Sequence, residues 1–188
     1  MKVNLYDFDG TIYNGDSSID FYIFCLKRKF LIIKFLPKFI LYLILNKLKL
    51  KTKEQLKEIF FAFVTCFDDI DGLVKSFWED NLKKIKLYYM EKRNENDIII
   101  SASPYFLLEY ICKYLKVKDL IASDVNKLTG KYEGKNCSGS EKVKKFTEKY
   151  KEVVVENAYG NSKNDIPMLE LANFGYMVKG NKIKIYSK

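Results

Sequence analysis

Asp7 and Asp9 stand two residues apart where a short apolar run, residues 2–6, ends abruptly in Asp7-Phe8-Asp9-Gly10-Thr11. On a straight strand their side chains would point to opposite faces. At a strand end that turns, aided by Gly10, both can converge on one ligand. Ser101 follows the apolar run 98–100 and offers a hydroxyl and backbone N–H groups. Gly160-Asn161-Ser162-Lys163-Asn164-Asp165 follows the run 153–158 and adds a third cluster of oxygens. Carboxylates, hydroxyls and amides gathered in this way suit a hard, oxygen-loving cation such as magnesium, with a phosphoryl group as its second ligand.

The chain of 188 residues has no histidine. Ser-His-Asp and Cys-His hydrolysis and His-ligated zinc are therefore excluded. Its four cysteines, Cys25, Cys66, Cys112 and Cys137, are dispersed with no C-x-x-C pair, which reads as small buried hydrophobes. No signal peptide precedes the first strand, so a reducing cytoplasm is expected. Lys+Arg total 33 against 24 Asp+Glu, a net charge of +9 that favours anionic partners. Arg28 and Arg93 are the only arginines, which argues against a nucleic-acid partner, because base reading leans on bidentate arginine.

Three oxygen-bearing loops meet only if the strands before them lie side by side. Strands are expected at residues 2–6, 97–100, 120–125, 153–158 and 174–178, the last closing the sheet. Helices are expected at 105–116, 140–150 and 166–172, and a hairpin or turn at 127–135. This alternation predicts an α/β fold, a Rossmann-like parallel sheet with helices on both faces. Residues 16–93 read as helical, with Thr52 as an N-cap and a further amphipathic stretch at 73–92. The expected organisation is a split core, 1–14 and 95–188, around an all-helical cap at 15–94. An insertion directly after the first strand lands at the carboxyl edge of the sheet, where ligands of open α/β folds bind.

The motifs resemble those of the haloacid dehalogenase superfamily. Asp7-Phe8-Asp9-Gly10-Thr11 is similar to its first motif, Ser101 in Ser101-Ala102-Ser103-Pro104 to its second, Lys142 to its third, and Gly160 to Leu169 to its fourth. The helical insertion resembles the cap of the phosphoserine-phosphatase-like branch. The resemblance implies a magnesium-dependent phosphomonoesterase. Asp7 would be the nucleophile and form an aspartyl-phosphate. Asp9 would be the acid and base, and Lys142 would neutralise the nucleophile and the phosphoryl group. Ser101 and the amide of Ala102 would hold phosphoryl oxygens, and Asn164 matches a substrate-side amide. Asp7, Asp9, Asn161 and Asp165 are the expected magnesium ligands. Asp16 lies near an acid that reads a substrate ammonium, and Arg28 is the one cap arginine placed to clamp a substrate carboxylate.

Asn161 stands where the family usually carries a metal-binding aspartate, so weaker metal affinity and reduced activity are expected. The alternative is a non-catalytic relative that binds a phosphorylated ligand or an anionic membrane surface without turnover. Residues 30–45 form an apolar stretch interrupted by Lys34, Pro37 and Lys38 and bracketed by further lysines. It reads either as a buried cap helix with a proline kink or as an interfacial element meeting anionic headgroups. The substrate is expected to be a small phosphorylated metabolite or a lipid head group.

Overall fold

The structure, a computed structural model, describes residues 1–187. Six strands form one sheet: β1 (Lys2–Tyr6), β2 (Asp97–Pro104), β3 (Asp119–Ser123), β4 (Val154–Gly160), β5 (Phe174–Lys179) and β6 (Lys182–Ile185), in the order β3-β2-β1-β4-β5-β6. All neighbours run parallel except β5 and β6. The sheet therefore ends on an antiparallel hairpin, not on the strand expected to close it. The sequence Lys182-Ile183-Lys184-Ile185 is too short and too polar to stand out as a strand before its partner is known. Helices α6 (Tyr105–Leu115), α7 (Ser140–Lys149) and α8 (Ile166–Leu169) make the crossovers.

Both sheet faces are buried, and alternate residues feed separate cores. Val3, Leu5, Ile98 and Ile100 pack with Phe146, Met168 and Leu169 on one face. Tyr6 and Ile99 pack with Leu107, Leu108 and the aromatic side chains of the insertion on the other. Tyr6, Tyr159 and Tyr176 are in register on β1, β4 and β5 and stack with ring centroids 4.5 and 4.7 Å apart. β1 lies between β2 and β4, and the crossovers turn in opposite directions on either side of it. The C-terminal ends of β1 and β4 thus flank the crevice that such a switch point opens.

Between β1 and β2 the chain is helical: α1 (Ser17–Arg28), α2 (Leu36–Lys47), α3 (Lys53–Phe61), α4 (Ile70–Asn81) and α5 (Leu87–Lys92), with short 3-10 turns between some of them. The outgoing and returning segments pair, with Tyr13 bridged to Ile85, Asn14 N donating to Lys84 O at 2.8 Å and Lys86 N to Ile12 O at 2.9 Å. α5 then lies against the sheet, its Tyr89 ring edge-on to Tyr6 at 5.0 Å. Thr52 caps α3 in a reciprocal capping box with Gln55. Residues 126–131 form the expected turn, Asn126 N donating to Lys131 O beside a Val125–Tyr132 bridge.

The stretch 30–45 is not a buried helix with a proline kink. Phe30–Phe35 is a 3-10 turn, Pro37 sits in the first turn of α2 where a missing N–H costs nothing, and no residue of α2 is buried. No helix of the described residues is long and apolar enough to cross a membrane.

Candidate active site

Asp7 follows β1 directly, and its backbone N–H donates to Tyr159 O of the adjacent strand at 2.9 Å, which fixes the nucleophile candidate at the sheet edge. Gly10 has φ +74°, and a Cβ there would stand 1.8 Å from Asn161 Nδ2. Glycine is required, because the turn is left-handed and the Asn161 side chain occupies the space. Gly160 ends β4 in a comparable way: a Cβ would lie 2.4 Å from Asp165 Cβ, so the loop 160–165 folds back only over a bare backbone.

Lys142, from the first turn of α7, is 2% exposed and reaches the two loops together. Its ammonium donates to Asp7 Oδ1 and to Asp165 Oδ1, each at 2.6 Å. Thr11 Oγ1 donates to the other Asp7 oxygen at 3.0 Å. Burial raises the Asp7 carboxyl above its ordinary range even against the pull of Lys142, and the neighbouring Asp165 adds to the rise. Asp165 is held low instead. Burial opposes this, but Lys142 and the donors of Ser162 prevail. The same two carboxylates hold the Lys142 ammonium charged despite its burial.

Asp9 Oδ1 accepts from Ser17 N at 2.7 Å and its Oδ2 from Ser103 Oγ at 2.5 Å. Burial, with the charge of Asp16 next, pushes its carboxyl up to about 7. Ser103 in turn has its backbone N–H on Ser101 Oγ at 3.1 Å, so the second motif orients Asp9 as well as offering its own hydroxyl. These groups line one cavity of about 450 Å³, with Ala102, Asn161, Asn164 and Asp16 on its wall. Asp16 also caps α1, accepting from Ser18 N and Ile19 N at 3.0 Å.

One expectation changes. Arg28 does not reach the cavity: its guanidinium lies 3.4 Å from the centroid of the Phe24 ring and donates to Phe24 O, because α1 turns residue 28 away from the sheet edge. Asp165, expected among the magnesium ligands, has both oxygens engaged, Oδ1 by Lys142 and Oδ2 by Asn161 N, Ser162 N and Ser162 Oγ at 3.2, 3.0 and 2.8 Å. It orients the lysine.

The cation of the helical insertion that does enter the cavity is Lys57 of α3. Its Nζ donates to Ala102 O at 2.9 Å and Asn136 Oδ1 at 2.7 Å, and burial lowers it to about 8 against the pull of Asp16 and Asp9. Glu54 and Glu58 of the same helix accept from Asn136 N and Tyr132 N, so one face of α3 is fastened to the core beside the cavity. Nothing in the sequence sets Lys57 apart from the other lysines except the i, i+3, i+4 spacing of Glu54, Lys57 and Glu58 on a capped helix.

Residues 5–170 match the family described as haloacid dehalogenase-like hydrolase. The chain belongs to that family. Among solved structures, a haloacid dehalogenase-like fold is shared with a Bordetella pertussis Tohama I protein of unknown function, at 17% identity and TM-score 0.66 over 93% of this chain and 88% of that one. A phosphoserine phosphohydrolase-like protein from Francisella tularensis is similar at 15% identity and TM-score 0.56, over 93% and 86%. A phospho-aspartyl intermediate analogue of phosphoserine phosphatase is similar at 18% identity and TM-score 0.52, over 93% and 84%. No curated protein matches the sequence. The structural likenesses speak for the shared fold, and the family match for membership.

Proposed function

We propose that the chain is a magnesium-dependent phosphomonoester hydrolase working through an aspartyl-phosphate on Asp7. The observation that carries this reading is the Asp7–Lys142 pair, buried in the same cavity as an Asp9 that titrates near 7. The likeness to a phosphoserine phosphatase captured as its phospho-aspartyl analogue supports it. An oxygen of Asp7 attacks phosphorus in line, and the ester P–O bond breaks as Asp9 passes its proton to the departing alkoxide. Asp9, now a carboxylate, takes a proton from a water whose oxygen attacks the same phosphorus, and the Asp7–phosphorus bond breaks to release phosphate. Lys142 offsets charge on Asp7 throughout, while Ser101 and the Ala102 amide hold phosphoryl oxygens.

The donor set fits an oxygen-bound divalent cation. Asp7, Asp9, Asp16 and Asp165 outnumber the ammonium groups of Lys57 and Lys142 in the cavity, so a phosphate dianion needs added positive charge there. Asp7, the backbone carbonyl of Asp9, the Asn161 amide oxygen and Asp165 would hold it. When bound, magnesium supplies the charge that draws phosphate oxygens to the nucleophile.

Residues 15–94 would act as the cap. The Tyr13–Ile85 bridge supports crossing points near residues 13 and 85, which would leave α5, packed against the sheet, on the core side. Lys57, in place of Arg28, would meet an anionic group of the substrate, and Asn164 and Asp16 its polar remainder. The substrate would be a small phosphorylated metabolite or a lipid head group. Four unpaired cysteines suit a reducing cytoplasm.

Asn161 favours the second reading, a non-catalytic binder of phosphorylated ligands or anionic membranes. One experiment separates the two: hydrolysis of an aryl phosphate with magnesium by the native chain and by Asp7→Asn. The phosphatase reading expects turnover that the variant loses by about three orders of magnitude or more. A native chain that binds phosphate mimics without turnover would establish the second reading.

A further inference from the structure

Residues 21–53 carry nine Lys and Arg and no Asp or Glu, a surplus equal to the +9 of the whole chain. Outside this segment acids and bases balance, so the excess charge lies between the last turn of α1 and the first residue of α3, with α2 at its centre. The same segment holds its densest exposed apolar surface. Phe30 is 70% exposed, Leu48 62% and Leu50 66%, with Leu31, Leu41 and Ile44 also more than half open to solvent. α2 packs through Phe39, whose ring lies 5.2 Å from Phe60 of α3, and turns Ile40, Leu41 and Ile44 outward. An exposed apolar face of this kind marks an interaction site in a water-soluble fold.

We propose that this face docks on an anionic lipid bilayer and so brings the cavity, which shares α2 with it, to the membrane surface. Charge decides the occupant. A second copy of the chain would bring the same lysines to the same apolar residues, with no acid in the segment to pair them. Anionic headgroups over an acyl boundary meet both features, the lysines at the phosphate level and the apolar side chains below. Among the described residues Lys34, Lys38, Lys47, Lys49 and Lys51 form no ion pair, and Lys38 and Lys51 lean on the Tyr42 ring, their ammonium groups 6.0 and 5.5 Å from its centroid. Phe39, on the inward side of α2, lines the cavity, so the exposed face and the cavity share this helix. Resting on the phosphatase reading, the substrate class becomes a phosphomonoester carried by a membrane lipid.

The experiment is co-sedimentation of Asp7→Asn chain with phosphatidylcholine vesicles, with and without phosphatidylserine, so that binding is read without chemistry. Binding to the anionic vesicles is expected to exceed binding to the neutral ones by about tenfold or more and to weaken as salt screens the attraction. Leu41→Glu with Ile44→Glu should lower it by about tenfold or more, as should Lys47→Glu with Lys49→Glu. In the Asp7-containing chain both pairs should leave aryl phosphate hydrolysis unchanged, which shows that the fold survives. Equal binding to both vesicle types, or binding to neither, would overturn the proposal, as would dimerisation that Leu41→Glu with Ile44→Glu abolishes. Vesicle binding by a native chain that hydrolyses no phosphomonoester would overturn the phosphatase reading alone.

Discussion

Lys142 Nζ stands 2.6 Å from Asp7 Oδ1 and 2.6 Å from Asp165 Oδ1, one buried ammonium between two buried carboxylates. Its removal leaves two like charges facing each other out of water. Lys142→Met should destabilise the chain by about 3–5 kcal/mol at neutral pH, measured by urea unfolding. The pH dependence has a definite sign. In the native chain Asp165 is held below its unfolded value, so it contributes stability that is present above that value and lost as pH falls. In the variant both carboxyls are raised, which destabilises at neutral pH and is relieved on protonation. The gap between the two proteins should therefore narrow in acid.

Gly10 and Asn161 share one volume. Gly10→Ala pays for a left-handed φ, about 1–2 kcal/mol, and for a clash with the Asn161 amide. In an Asn161→Gly background only the backbone cost should remain. A double-mutant cycle on unfolding free energy should show coupling between the two positions. Strict additivity would mean that the side chain at 161 does not lie against residue 10.

Lys57 at about 8 makes substrate capture pH-dependent. Below that value the ammonium is charged and attracts an anion; above it the neutral amine does not. KM for a substrate carrying a second anionic group should rise as pH passes through about 8, with less change in kcat. Lys57→Arg should carry the rise to higher pH, and Lys57→Met should abolish it while raising KM throughout.

Asn161→Asp tests the metal. A carboxylate in place of the amide adds a formal charge beside Asp7 and should lower the magnesium concentration for half-maximal rate by roughly ten- to a hundred-fold. At saturating magnesium the rates should be similar. An unchanged half-saturating concentration would remove residue 161 from the ligand set.

The acids at strand ends were legible because their signal is local. A strand that stops in Asp-x-Asp-Gly-Thr and a loop spaced Gly160 to Asp165 determine their own geometry, and the parallel order of β1, β2 and β4 brings them together. Ser103 was harder to read: its hold on Asp9 depends on how the end of β2 lies beside the turn after β1, not on its place in the motif. Lys57 was hidden among the lysines, since burial and not residue type gives it its role. Arg28 misled because arginine suggests an anion clamp, while helical phase alone decides whether it reaches one. The apolar run through α2 read equally well as core, because hydrophobicity records what a side chain prefers and not whether the fold has a partner for it. Strand β6 exists only through its pairing with β5.

Catalysis through Asp7 requires a covalent bond between its carboxylate oxygen and phosphorus. The native chain, mixed with magnesium and a labelled phosphomonoester and quenched in acid during turnover, should carry label on the peptide containing Asp7. Hydroxylamine should release that label, as it does from an acyl phosphate, and Asp7→Asn should carry none. Turnover with no label on that peptide, or undiminished label in Asp7→Asn, would rule out Asp7 as the nucleophile.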